Sequence, residues 1–119
     1  MQKLAYRLKI TLTGEENFFG PGIVEILQRT EQSGSLHGAC AEMHMAYSKA
    51  WRVLKKAEKE LGFALLEGKA GGAHGGKSTV TPKAKAFCKR YEDFCTEINS
   101  AAQKAFINFT KTGEENERD

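Results

Sequence analysis

Long apolar runs are missing from this sequence of 119 residues. No run approaches the roughly 20 residues that a helix needs to span a bilayer. The N-terminal residues alternate between apolar and polar side chains, whereas a signal peptide needs an unbroken apolar block. These two absences argue against a membrane protein and a secreted one, and we therefore predict a cytoplasmic protein without a membrane partner.

Cysteine is scarce as well, because the chain has only Cys40, Cys88 and Cys95 and no CxxC pair. An odd number at wide spacing argues against a disulfide framework and a zinc ribbon. The histidines are not spaced as ligands on one face, and no Ser/His/Asp or Cys/His grouping is visible. We therefore predict no enzymatic activity, no bound metal and no cofactor.

One enzyme motif does match, since residues 71–78 (GGAHGGKS) fit the phosphate-loop pattern GxxxxGK[ST]. In a nucleotide-binding site the Lys-Ser pair must open a helix whose amides hold the phosphates. Here Ser78 is followed by Thr-Val-Thr and then Pro82, and proline moves the residue before it out of the helical region. The segment has no room for that helix, so we reject a nucleotide-hydrolysing function.

The charge of the chain is moderately positive, with a formal net value of +3. The C-terminal segment GEENERD contributes −3, so the preceding residues carry about +6. This balance permits an anionic partner such as nucleic acid without requiring one.

The most informative stretch is residues 35–62, which we predict to form two helices joined by a tight turn. Residues recur at helical spacing along the inner side of each helix. They are Leu36, Ala39, Cys40 and Met43 in the first helix, and Trp51, Leu54, Ala57, Glu58 and Leu61 in the second. The opposite side of the second helix carries Lys49, Arg52, Lys56 and Lys59. This layout is typical of a helix-turn-helix, which places its second helix in the DNA major groove. The alternative is that the lysines merely solvate an exposed face.

A strand and a helix are predicted ahead of this motif. Apolar and polar residues alternate over residues 4–12, which indicates a strand with one buried face. A loop follows, and Pro21 suits the first turn of a helix that ends before Gly34. Ser35 is then placed to cap the next helix, and Gly62 to end the one after it in the left-handed conformation.

A glycine-rich hairpin follows the second helix of the motif. Residues 63–69 and 77–81 are predicted as strands, with AGGAHGG as the turn. A hairpin in this place is the wing of a winged helix-turn-helix, and its glycines let backbone N–H groups approach a phosphate. The alternative is a merely flexible tip. We expect residues 1–81 to form the DNA-binding domain, with the helix-turn-helix at 35–62 and the wing at 63–81.

A long final helix is predicted over residues 82–110. Its apolar residues fall at alternating steps of four and three, which form a heptad seam that includes Phe87, Tyr91, Phe94, Ile98 and Phe109. We predict that this seam packs against its copy in a homodimer; the alternative is that it folds back on its own core. Residues 111–119 are expected to be a disordered acidic tail, and the predicted fold class is α+β, mainly α.

The chain contains, in this order, the segments FFGPG, TEQSGS, AYSKAW and LLEGKAGGAHGGKSTVT. Together they resemble the N-terminal winged-helix domain of ModE-type molybdate-responsive regulators, which are relatives of the LysR class. The resemblance implies a homodimer, joined through the first strand and the last helix, on a pseudo-palindromic DNA operator. It also implies that Tyr47, Ser48, Lys49 and Arg52 approach the major groove, whereas Trp51 packs inward.

The chain departs from that family's pattern at several positions. Ala46 stands where a serine usually caps the recognition helix, and His44 replaces a usual turn glycine. Full-length ModE proteins also carry C-terminal molybdate-binding modules, and nothing after Phe109 could form one. We therefore expect a chain that lacks the molybdate-binding domain, and that either acts alone or takes its signal from a separate effector-binding partner.

The leading prediction is a sequence-specific DNA-binding transcriptional regulator that acts as a homodimer. The DNA-binding residues of the recognition helix are predicted to be Tyr47, Ser48, Lys49, Arg52, Lys55 and Lys56. Those of the wing are predicted to be Lys69, Gly71, Gly72, Gly75, Gly76, Lys77 and Ser78. Two alternatives stay open: a protein-interaction module with the same fold, and a metal- or oxyanion-responsive sensor that uses the histidines or cysteines.

Overall fold

The elements of the chain follow the order strand, strand, three helices, strand, strand, helix. The computed structural model describes the backbone of residues 3–68 and 77–118, with side chains as far as residue 111. The elements are β1 (Leu12–Thr13), β2 (Asn17–Phe19), α1 (Pro21–Ser33), α2 (Leu36–Met43), α3 (Tyr47–Leu61), β3 (Leu66–Gly68), β4 (Ser78–Val80) and α4 (Pro82–Arg118). This architecture confirms the predicted α+β, mainly α, winged helix-turn-helix fold.

The apolar core is formed by the helices α1 to α3 with β2, β4 and the residues that lead into β3. Its largest fully buried side chains are Phe19, Ile26, Leu27, Thr30 and Leu65. The hydroxyl of Thr30 donates to the carbonyl oxygen of Ile26 at 2.7 Å, so the polar group in this core has a partner. The core therefore holds α3 by its inner side and leaves its outer side to solvent.

The helix α1 and the two helices of the motif, α2 and α3, begin and end where the sequence predicts. Pro21 opens α1, and Gly34 follows its last residue at φ 87°. The hydroxyl oxygen of Ser35 accepts a backbone N–H from the first turn of α2 at 2.9 Å, which confirms the predicted cap. Gly62 follows the last residue of α3 at φ 82°, in the left-handed conformation that other residues adopt only at a cost.

The prediction of a long N-terminal strand is wrong. Residues 3–11 have no regular secondary structure, and the strand is confined to β1, which pairs antiparallel with β2. The first three of the alternating apolar side chains are exposed rather than buried, at 65% for Leu4, 39% for Tyr6 and 46% for Leu8, whereas Ile10 and Leu12 are half-buried. A strand needs a hydrogen-bonding neighbour, and the short β2 can pair only with the end of the segment. β2 itself lies where the sequence predicts a loop.

The last helix is longer than predicted. α4 begins at Pro82 as expected but continues to Arg118, through most of the acidic segment for which the sequence analysis expects disorder. That segment contains no proline and several glutamates, which are good helix formers, and its one glycine, Gly113, does not end the helix. Contacts divide the chain into the units Met1–Cys88 and Lys89–Asp119, so the boundary lies inside α4. Among the residues described, no helix combines the length and apolar content needed to cross a membrane.

Candidate nucleic-acid interface

A turn of three residues, His44, Met45 and Ala46, joins α2 to α3. His44 takes the left-handed conformation at φ 53°, where a glycine would be unstrained. The N–H of Met45 donates to the carbonyl oxygen of Cys40 at 3.0 Å and so closes the end of α2. Ala46 is the N-cap residue of α3 and provides no side-chain hydrogen bond. As the sequence predicts, the recognition helix begins at Tyr47 without a side-chain cap.

The outer face of α3 is polar, cationic and exposed. Ser48, Lys49 and Arg52 all face solvent, whereas Ala50 and Leu54 on the inner side are buried. In the part of the chain that the structure describes, neither Lys49 nor Arg52 makes an ion pair. Both charges are therefore available to an anionic partner.

The next two cations of α3 have anionic neighbours within the chain. Lys55 Nζ lies 3.1 Å from Glu58 Oε1, and Lys56 Nζ lies 3.0 Å from Glu16 Oε2 in the β1–β2 turn. Both lysines are exposed, but only the Lys56–Glu16 pair is exposed on both sides, because the side chain of Glu58 is 16% exposed. Exposed ion pairs contribute little, typically ~0–1 kcal/mol. A phosphate group can therefore replace Glu16 as the partner of Lys56 at small cost.

Trp51 does not pack inward, and that prediction is wrong. Its side chain is 48% exposed, and the ammonium of Lys55 lies 5.4 Å from the centroid of its ring. The inner side of α3 consists instead of Ala50 and Ala57, both fully buried, with Leu54 between them. Small residues bring the helix backbone close to its neighbours, so this packing layer leaves no room for an indole.

Tyr47 is held by a contact that the sequence analysis missed. Its ring stacks on the ring of His37 from α2, with centroids 3.9 Å apart and planes inclined by 1°. Tyr47 remains 40% exposed in the first turn of α3. A single sequence carries no signal for this contact, because it depends on how α2 and α3 cross. The stack fixes an aromatic ring at the end of the helix that usually contacts base edges.

The base of the wing is anchored to the helices by hydrogen bonds. Glu58 Oε2 accepts the N–H of Leu65 at 2.7 Å, which ties α3 to the residues before β3. The hydroxyl of Thr81 donates to the carbonyl oxygen of Ala64 at 2.7 Å. The N–H of Ser78 donates to a carbonyl oxygen at the end of α1 at 2.9 Å. The sequence analysis placed Glu58 on the inner side but missed this connection, which only the folded chain creates.

The predicted wing residues fall into two groups. Those that lie outside the described residues are Lys69, Gly71, Gly72, Gly75 and Gly76. Lys77 is exposed, and Ser78 is half-buried at the start of β4, where it pairs with Gly68 of β3. A phosphate-binding loop requires a helix after its Lys-Ser pair, so the strand at this position supports the rejection of that motif.

Two of the predicted dimer residues are covered within the chain. The ring centroid of Phe87 lies 4.9 Å from that of Phe19 and 6.1 Å from that of Phe63. Tyr91 is buried, and this burial, with a hydrogen bond to Cys95, raises the pKa of Tyr91 to about 12. Tyr91 is therefore shielded from water without a second subunit, and Phe87, which is half-buried, is partly shielded.

The remaining residues of the predicted seam are exposed. Phe94 is 46% exposed, Ile98 38% and Phe109 65%, and Ile107 outside the seam is 42% exposed. These apolar side chains recur along a single helix, which leaves an apolar surface that is unusual for a face in contact with water.

Metal or redox chemistry has little support among the described residues. They contain no group of three or more His, Cys, Asp or Glu side chains that could hold a metal ion. Cys40 is buried, and this burial raises the pKa of its thiol, whereas a reactive cysteine needs a lowered one.

Comparison with known proteins gives two similarities. Residues 23–85, just over half of the chain, match the family described as bacterial regulatory helix-turn-helix protein, lysR family. The chain is also 31% identical over 75 residues to the transcriptional regulator ModE of Haemophilus influenzae. That alignment covers 63% of this chain but 29% of the regulator, so the chain spans less than a third of that protein's length. Both similarities confirm the resemblance that the sequence motifs indicate.

Proposed function

Because this chain belongs to the lysR family of bacterial regulatory helix-turn-helix proteins, we propose that it is a sequence-specific DNA-binding transcriptional regulator. The observation that supports this best is the outer face of α3, where Lys49 and Arg52 are exposed and make no ion pair with other described residues. Its activity is binding rather than catalysis, and its partner is double-stranded DNA.

The helix and the wing have different parts in the proposed complex. The residues that reach base edges in the major groove are Tyr47, Ser48, Lys49 and Arg52. The guanidinium of Arg52 is suited to bind guanine O6 and N7 in a bidentate manner. Lys55, Lys56 and Lys77 contact phosphates, which set the register of the protein on the duplex without reading its sequence.

This division is tested on a duplex that the purified protein selects from a random library. Arg52→Ala is expected to relax the base preference at one position, at a cost of ~1–3 kcal/mol for the preferred base. Lys77→Ala is expected to weaken binding to all duplexes alike, and to reduce the slope of log affinity against log salt by about 0.9. Quantitative gel shifts over a salt series measure both effects.

Arg29→Ala is the matched control, because Arg29 lies on α1, pairs with Glu25 and Glu42, and is not among the residues of the proposed interface. It is expected to keep both the base preference and the salt slope. Identical specificity profiles for Arg52→Ala and Lys77→Ala would overturn the division of roles. If the unmodified protein bound no duplex at low ionic strength, the proposed function would be wrong.

We further propose that the regulator acts as a homodimer on a pseudo-palindromic operator. The exposed apolar side chains of α4 and of residues 3–11 support this, because monomeric proteins seldom leave such surfaces to water. A two-fold axis presents α3 twice, so the two half-sites are expected to be centred about 34 Å apart, or a multiple of that distance.

A further inference from the structure

Two exposed aromatic rings lie next to each other on α3. Trp51 is 48% exposed and Tyr47 is 40% exposed, and their spacing of four residues makes them neighbours on the helix surface. Within the described part of residues 1–88, the other large apolar side chains with such exposure belong to the N-terminal segment. The fold itself does not need these rings to face solvent, so their exposure indicates a contact with a partner.

Both rings are supported by neighbours within the chain. Tyr47 stacks on His37 at 3.9 Å between centroids. The ammonium of Lys55 lies 5.4 Å from the centroid of Trp51 and is itself held 3.1 Å from a carboxylate oxygen of Glu58. Side chains that are already positioned lose little conformational freedom on binding, which favours a specific contact over a loose one.

The surroundings of Trp51 indicate the chemistry of the partner. Ser48 and Lys55, three residues before and four residues after Trp51, are its neighbours on α3, so a hydroxyl and a cation border the indole, and the exposed Arg52 adds a second cation to the helix surface. A protein surface that covered the indole would also have to desolvate these charges. The major groove of DNA offers apolar methyl groups beside an array of phosphates, and it matches both parts of this surface.

We propose that Trp51 contacts thymine C5-methyl groups in the major groove and is a specificity-determining residue of this regulator. The inference rests on the proposed DNA-binding function. The methyl group distinguishes thymine from every other base edge in that groove, and apolar side chains read it by contact. The indole provides a broad apolar surface, and its single N–H cannot tell the acceptors of guanine, adenine and thymine apart.

The test replaces each thymine of the selected duplex, one at a time, by deoxyuridine. This change removes only the methyl group and keeps the hydrogen-bonding edge. The unmodified protein is expected to lose roughly fourfold in affinity at one or two positions, the effect of one buried methyl group. Trp51→Ala is expected to bind thymine and uracil duplexes equally, whereas Trp51→Phe keeps part of the preference.

Arg52→Ala serves as the control for this experiment, because it is expected to weaken binding to both duplexes while the thymine-to-uracil ratio stays unchanged. Circular dichroism checks that each variant keeps its helices, which is expected because Trp51 lies outside the packed side of α3.

A second measurement follows the indole directly. Trp51 is the one tryptophan in the sequence, so the intrinsic fluorescence of the protein reports on this ring alone. Saturating duplex is expected to reduce the quenching of Trp51 by acrylamide at least twofold, since the ring becomes covered.

Three results would overturn the inference. The first is equal affinity of the unmodified protein for thymine and uracil at every position of a duplex that it binds tightly. The second is unchanged acrylamide quenching in that complex. In both cases the proposed DNA-binding function would stand without this role for Trp51. The third is a lack of any duplex binding, which would refute the function and the inference together.

Discussion

Among the described residues, three take the left-handed backbone conformation, and each of them follows the end of a helix. Gly34 has φ 87°, His44 has φ 53° and Gly62 has φ 82°. This conformation costs an L-residue roughly 1–2 kcal/mol, a cost that the two glycines avoid. At the scale of single residues, the left-handed backbone conformation therefore helps to determine where these helices end, as side-chain packing does.

Gly62→Ala is expected to lower the free energy of unfolding by about 1 kcal/mol, because alanine is strained at a positive φ. No atom lies within 4 Å of the Cβ position, so the effect comes from the backbone alone. The matched control is Gly22→Ala in the first turn of α1, where the new Cβ also meets nothing within 4 Å but the backbone is helical. It is expected to stabilise the protein by up to ~1 kcal/mol. Urea denaturation compares the two, and a change of the same sign in both would contradict this account.

At the scale of elements, the carboxylate of Glu58 links the recognition helix to the wing. It accepts the N–H of Leu65 at 2.7 Å just before β3, while the hydroxyl of Thr81 links the residues on either side of the hairpin. The position of the wing relative to α3 thus depends on a few hydrogen bonds at its base. A contact of this kind is costly to break when the group left behind is shielded from water.

Glu58→Ala is expected to destabilise the fold by ~1–3 kcal/mol, because the part-buried N–H of Leu65 loses its acceptor. Glu58→Gln keeps an oxygen acceptor and is expected to remain within about 1 kcal/mol of the unmodified protein. Glu60→Ala, an exposed change on the same helix, is the control and is expected to be near neutral. Thermal and urea unfolding measure these differences, and equal losses for Glu58→Ala and Glu60→Ala would count against the link.

At the scale of the whole molecule, the distribution of exposed apolar groups is uneven. In α4 they are Phe94, Ile98, Ile107 and Phe109, and in the N-terminal segment they are Leu4, Tyr6 and Leu8. The cationic face of α3 is separate from both sets in sequence. The proposed dimer needs both kinds of side chain, because the apolar ones must be left to the partner subunit while the cations of α3 meet the phosphates.

Ile98→Asp is expected to shift the proposed homodimer to monomer, because a charge in an apolar interface must be desolvated without a partner. Ser100→Asp, a change at another exposed residue of α4 outside the seam, is the control and is expected to remain dimeric. Light scattering coupled to size-exclusion chromatography measures the mass of each variant. A monomeric unmodified protein, or a dimer that survives Ile98→Asp, would contradict the seam as the interface.

Much of the fold follows from local signals in the sequence. Pro21, Ser35 and Gly62 mark helix ends through φ preference and short-range hydrogen bonds, and the structure confirms all three. Two apparently clear patterns fail, however. The alternation over residues 4–12 forms a strand only at its end, in β1, and Trp51, at the edge of the inner side of α3, is excluded from the packing layer. Both errors concern what a residue faces, which periodicity does not encode.

By itself, the sequence determined the helix-turn-helix, the position of its cations and the hairpin behind it, because helix propensity, capping and the period of apolar residues act over a few neighbouring positions. Only the tertiary structure decided that Trp51 faces solvent, that His37 stacks on Tyr47 and that Glu58 accepts the N–H of Leu65. Each of these depends on the distance and angle between elements. Those quantities arise when small side chains such as Ala50 and Ala57 allow helices to approach closely, and no local pattern contains them.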